Sequence, residues 1–287
     1  IGYTMSPWRN DVRQHAIHYA NDNNLPVTEQ HDWVLSEGAD ALGFWPIIAE
    51  EAVNLDIPWH SRGNLTSSQI FAVNIVMGLE NCESMNLLIP EKQVISLTPE
   101  WKDGLENVVA EQTKTSVDYQ IVTEQSIWLL EVKYGEDRHQ PCGSTHQNEV
   151  CQGDFPMWLN DCPLINEYGT RYMEVLRDPN GPINPQILSN LADGCPMRTR
   201  EVYQLIRLIS IAWLKNQQHG GSRWQVGVVF PEGNEFIMNE IAELTNCLND
   251  PTIFHSFPVD EIVRRAMREE NTSDWANYMA ERYLLNL

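Results

Sequence analysis

Ser126-Ile127-Trp128-Leu129-Leu130-Glu131-Val132-Lys133 is an apolar, strand-forming run that closes on a glutamate and a lysine one position apart. Ionisable side chains at the end of a buried strand are costly unless they have a partner, a metal or a task. Side chains alternate along a strand, so Glu131 and Lys133 share one face while Leu130 and Val132 pack on the other. Upstream, Ser116-Val117-Asp118-Tyr119-Gln120-Ile121-Val122 reads as a second strand, and Thr123-Glu124-Gln125 as the turn between them. Such a hairpin brings Asp118, thirteen positions before Glu131, towards that glutamate. The result is a carboxylate pair with an ammonium at its edge.

Metal-assisted phosphodiester hydrolysis uses such a trio. Two carboxylates and a backbone carbonyl, here that of Val132, are hard oxygen ligands suited to Mg2+ or Mn2+. At Asp118, Glu131 and Lys133 the chain resembles the PD-(D/E)XK, or restriction-endonuclease-like, nuclease superfamily. Val117 stands where that motif usually has a proline. The resemblance implies that Asp118 and Glu131 hold the metal, and that Lys133 orients or deprotonates the attacking water and faces the phosphate.

The flanking segments extend the resemblance. From Arg200 to Leu214 the apolar residues Val202, Leu205, Ile206, Ile209, Trp213 and Leu214 recur at helical spacing, with Thr199 as N-cap. Several branches of the superfamily carry a glutamine on this helix, which by resemblance is Gln204, with Tyr203 and Arg207 beside it. A second helix is expected over Asn64–Leu79, with Thr66 or Ser67 as N-cap. Its Ser67-Ser68-Gln69 start and later Asn74 are similar to those of uncharacterised bacterial restriction-endonuclease-like proteins. Gln69 either faces the site or serves in capping, and Glu50, Glu51 and Glu80 are further carboxylates on the helical side.

Composition bounds these readings. The 287 residues are 42% hydrophobic and include ten tryptophans, enough to fill the core of one large α/β domain with elaborations. No stretch reads as a membrane span, and the first residues lack the basic and apolar regions of a signal peptide, so the cytoplasm is the expected location. The net charge of −21 pulls against nucleic-acid binding, which rests on Lys and Arg. Two basic groups, Arg198, Arg200, Arg207, Lys215 and Arg223, then Arg264, Arg265 and Arg268, form either a local track or pairs with neighbouring glutamates. Acidity equally suits docking onto a basic protein partner.

Cys142, Cys151, Cys162 and Cys195 fall between the Glu131 strand and the Gln204 helix, in a segment rich in Gly, Pro and Asn. Four thiolates there could hold a structural zinc or an iron–sulfur cluster, with His139 and His146 as alternative ligands. Their spacings, with eight, ten and thirty-two intervening residues, contain no Cys-x-x-Cys pair, which favours unligated structural thiols. Cys82 and Cys247 end apolar helical patterns and read as core.

The expected architecture is α/β, a restriction-endonuclease-like mixed central sheet flanked by helices. Residues 1–61 form an N-terminal elaboration beginning with a helix near Asp11. Residues 62–233 form the nuclease core, with a cysteine-containing insertion at about 139–198. Residues 234–287 form a C-terminal helical segment. Within the core, Val94–Ile95 starts a short strand ahead of Pro99-Glu100-Trp101, and Trp224–Phe230 is a buried strand after a Gly220–Gly221 turn. The reading is a metal-dependent nuclease acting on nucleic acid, with DNA as first substrate, in a bacterial or phage defence or DNA-processing system. The alternative is a catalytically silent member of the fold that binds a basic protein partner or a second copy of itself.

Overall fold

The computed structural model describes residues 6–55, 63–91, 93–101, 117–138, 142, 149–162, 171–199, 202–218 and 223–287. His139, His146, Arg200 and the Gly220–Gly221 turn lie outside them.

Five strands form one mixed sheet in sequence order: β1 (Val94–Trp101), β2 (Val117–Thr123), β3 (Ser126–Val132), β4 (Arg223–Phe230) and β5 (Phe254–Pro258). β1 pairs with β2, and β2 with β3, antiparallel, as a two-residue turn between β2 and β3 demands. β4 and β5 each run parallel to the strand before them. A parallel neighbour requires a crossover, and helices supply it both times. The helices named here are α1 (Pro7–Asp22), α2 (Ser68–Asn81), α3 (Tyr203–Gln218), α4 (Glu235–Thr245), α5 (Val259–Ala266) and α6 (Ser273–Arg282). α3 carries the chain from β3 to β4, and α4 from β4 to β5.

Alternation along the strands divides the core into two layers. Tyr119, Ile121, Trp128, Leu130 and Val132 pack against α2, α5 and α6. Leu129, Val226 and Val228 face the other way, onto α3 and α4. α2 is buried at every position from Ile70 to Leu79, the mark of a helix enclosed on all sides. Its start is set by Ser67, whose hydroxyl accepts from Gln69 N at 3.2 Å. Its far end touches α6 so closely that a Cβ on Gly78 would run into the Trp275 indole, whose Nε1 donates to Asn74 O at 2.8 Å.

The structure departs from the sequence reading at several elements. Val94 to Trp101 is one strand through Pro99, tolerated because β1 is an edge strand. α3 starts at Tyr203, three residues later than the apolar spacing implied. Within the segment read as C-terminal helices, Phe254–Pro258 is the fifth strand of the sheet. α5 and α6 bury Val259, Ile262, Val263, Trp275 and Met279, so this end of the chain completes the core.

The cysteine-containing segment folds into short helical turns against the α3 layer. Cys162 and Cys195 are buried there, and Cys142 and Cys151 pack at its edge. Cys195 N donates to Cys151 O and Cys142 N to Met197 O, each at 2.9 Å. Burial pushes the Cys195 thiol up to about 12, the setting of an inert thiol. Among the described residues no three His, Cys, Asp or Glu side chains converge as metal ligands. Cys82 and Cys247 are buried in the core.

Candidate active site

The β2–β3 register pairs Tyr119 with Leu130 and Gln120 with Leu129, which sets Asp118 opposite Glu131. Both side chains leave the sheet on one face. Val132 N donates to Asp118 Oδ2 at 2.7 Å, tying the aspartate to the end of β3. Lys133, on the same face two residues after Glu131, places Nζ 2.9 Å from Glu131 Oε1. The glutamate and the lysine are 2% and 5% exposed, so this is a buried ion pair rather than a solvated strand end. From α3, Gln204 Nε2 reaches the same Glu131 oxygen at 2.5 Å. Asp118, Glu131, Lys133 and Gln204, separated by up to 86 positions, therefore meet at the end of β2 and β3.

Charge crowding sets the protonation of the group. Burial and the Glu131 carboxylate push Asp118 well above the ordinary carboxylate range, and Glu100 adds to the rise. The Lys133 ammonium and the Val132 N–H oppose that rise without cancelling it. Burial alone would lower Lys133, but Glu131, Glu136 and Asp118 together hold it above its ordinary value. The lysine is thus a firmly held cation.

Two acidic residues here were not singled out from the sequence. Glu100 lies on β1 between the pairs Pro99–Tyr119 and Trp101–Val117, which sets it opposite Asp118. Its backbone has φ +48°, a left-handed conformation rarely adopted by a residue with a side chain, and Gln69 Nε2 donates to its Oε1 at 2.7 Å. Gln69 thus joins the site, while the helix cap is the Ser67 hydroxyl. Glu136, in the turn after Lys133, meets the Ser68 hydroxyl at the start of α2 and accepts from Tyr134 N at 3.3 Å. Tyr134 N also donates to Ser68 Oγ at 2.8 Å. The only sequence signal for Glu136 was its place three residues beyond Lys133.

Other residues named from the sequence sit elsewhere or serve the scaffold. Tyr203 packs edge-on against Tyr172, with ring centroids 5.8 Å apart. Arg207 is buried within α3. Lys215 lies over the Trp224 ring, Arg223 binds Thr252 O, and Arg264 pairs with Glu232, so these three serve local contacts. Asn74 holds Trp45 N and Gly43 O in the α2 layer.

The donor set suits a hard divalent cation. Asp118 and Glu131 are carboxylates crowded enough to raise one of them, and a cation between them would relieve that repulsion. Two carboxylates, with water and substrate oxygens completing the shell, are the usual protein contribution to a Mg2+ site.

The model of one protein family, described as "Restriction Endonuclease associating with ARP", matches residues 8–284. No curated protein and no solved structure matches the chain. With nearly its whole length covered by that model, and a mixed sheet flanked by helices beneath it, the chain belongs to the family of restriction endonucleases associating with ARP.

Proposed function

We propose that this protein is a divalent-metal-dependent nuclease that hydrolyses phosphodiester bonds, with DNA as its substrate. The observation that carries the reading is the buried Lys133–Glu131 pair set beside Asp118 on one face of the β2–β3 hairpin. In this reading Asp118, Glu131 and the Val132 carbonyl hold Mg2+ or Mn2+. A bound ion would acidify a coordinated water and offset charge developing on the phosphate. The chain's own residues do the rest. The Val132 N–H fixes the Asp118 carboxylate, and Gln204 fixes that of Glu131. Lys133, held protonated by three carboxylates, is suited to orienting the water and countering charge on the phosphoryl oxygens. It is ill suited to removing a proton.

The family's name adds association with a partner, and the net charge of −21 fits docking onto a basic protein. No helix among the described residues is long and apolar enough to cross a membrane. We place the activity in the cytoplasm, in a bacterial or phage defence or DNA-processing system.

The test incubates the protein with plasmid, single-stranded DNA and RNA, in Mg2+ or Mn2+ and in chelator. Asp118→Ala and Lys133→Ala, checked as folded by circular dichroism, run alongside. Cleavage of DNA that needs the metal and is lost in both variants is the expected result. Equal activity in wild type and both variants sinks the assignment. A protein inert under every condition but captured by a basic partner favours the silent, partner-binding reading.

A further inference from the structure

Within the Ser67-Ser68-Gln69 start of α2, Ser67 caps the helix and Gln69 binds Glu100, while Ser68 meets the backbone at the end of β3. Regular strand geometry stops at Val132, so the sheet does not by itself set the direction in which Lys133 leaves the chain. Two peptide planes meet at the Lys133 Cα, and fixing both fixes its Cα–Cβ bond. β4 holds the first, because Lys133 N donates to Val229 O at 2.9 Å. Ser68 holds the second: its hydroxyl accepts from Tyr134 N at 2.8 Å and donates to the Glu136 carboxylate. A hydroxyl that gives its proton to a carboxylate is a better acceptor at its oxygen, so the two bonds strengthen each other. The Glu136 carboxylate also accepts from Tyr134 N, at a longer 3.3 Å.

The residues after Lys133 are pinned as well. Tyr134 is fully buried, with the Phe71 and Tyr283 rings 4.6 and 4.9 Å from its own. Trp8 Nε1 donates to its carbonyl at 2.7 Å, and Leu284 N to its hydroxyl at 3.0 Å. A Cβ on Gly135 would come within 2.5 Å of Thr66 O, so the chain passes there only as glycine. Asn234 Nδ2 closes the turn by donating to Glu136 O at 2.7 Å. We propose that Ser68 is a positioning residue for Lys133: by fixing the peptide that follows the lysine, its hydroxyl aims the ammonium at Glu131 and at the reacting phosphate. Ser68 itself touches neither. Its part in catalysis rests on the proposed nuclease reading, and its hold on the lysine does not.

The chain has five lysines, few enough to read one by one. With lysine labelled by carbon-13 at Cε, beside the ammonium, the Lys133 signal is the one missing from Lys133→Arg. At fixed pH, Ser68→Ala is expected to shift and broaden that signal and leave the others in place. Ser68→Thr, which keeps a hydroxyl, should restore it. Ser68→Cys fills nearly the same space with a far weaker acceptor, so it should act like alanine, and it keeps the test decisive where the alanine variant fails to fold. In DNA cleavage, Ser68→Ala should lower kcat about 10- to 100-fold with KM unchanged, the usual loss of a supporting hydrogen bond, and Ser68→Thr should recover it. A Lys133 signal indifferent to both Ser68→Ala and Ser68→Cys overturns the proposal. So does a threonine variant as impaired as the alanine one. A wild type that cleaves nothing, but whose Lys133 signal follows the Ser68 hydroxyl, defeats the nuclease reading and upholds the hold on the lysine.

Discussion

Asp118 holds its charge where charge is costly, between Glu131 and Glu100 and away from water. Its folded carboxyl titrates above the ordinary value near 4, so in the metal-free protein the folded state binds its proton more tightly than the unfolded state does. The sign of the linkage follows. This group lowers stability at neutral pH, and the loss is recovered as pH falls through the folded carboxyl's range towards the unfolded one. Asp118→Asn is therefore expected to stabilise the metal-free protein at neutral pH while abolishing cleavage. Urea midpoints in chelator provide the measurement. The advantage of the variant should shrink in mildly acidic buffer, and again when Mn2+ is added to wild type; a constant difference at all pH values argues against the crowding. At the candidate site, the alternation along two adjacent strands displayed Asp118, Glu131 and Lys133 on one face, while Gln204 was reached through the family resemblance on an apolar helix. Glu100 was not legible, because its place opposite Asp118 depends on a strand pairing between segments fifteen residues apart, and no local period records that.

α2 shows how an element is cut to fit its neighbours. Gly78 in a helix interior gives up roughly 1 kcal/mol relative to alanine on propensity alone. Here the ordinary gain from Gly78→Ala is opposed by the Trp275 indole. Overpacking of a dense core costs about 1–3 kcal/mol, so the substitution is expected to lower stability despite its better propensity. Thermal melts of Gly78→Ala beside Gly78→Ala/Trp275→Leu check the cause, because relief of the clash should recover part of the loss. Unchanged melting of the single variant would show that the helices separate freely. Periodicity displayed α2 and α3 within a few residues at each end, since their apolar faces are long. It hid β5, whose five residues carry a histidine, a serine and a proline and become a strand only by pairing with β4. It hid the apolar role of α5 and α6 for a related reason: their buried faces are interrupted by arginines and glutamates on the outer sides.

Over the whole molecule, the net charge of −21 should govern how nucleic acid arrives. A surface of this sign repels phosphate, and three members of the two basic groups, Lys215, Arg223 and Arg264, are engaged with their own scaffold. DNA binding without a divalent ion is expected to be undetectable by fluorescence anisotropy. With Mn2+ it should appear with a shallow dependence on monovalent salt, equivalent to about one or two phosphate contacts. A steep dependence would instead reveal a basic track. The last feature to weigh is the closure of the α2 layer by residues from the far end of the chain. Trp275 binds Asn74 O, the Tyr283 hydroxyl receives the Asn74 amide, and the buried Arg282 donates to Leu65 O, contacts that span 201 to 217 positions. During synthesis the hairpin bearing Asp118 and Lys133 leaves the ribosome well before those residues exist. The helix that delivers Ser68 and Gln69 to the site then has no lid, and the sheet lacks its fifth strand. The α2 layer is therefore complete only once translation has passed Tyr283.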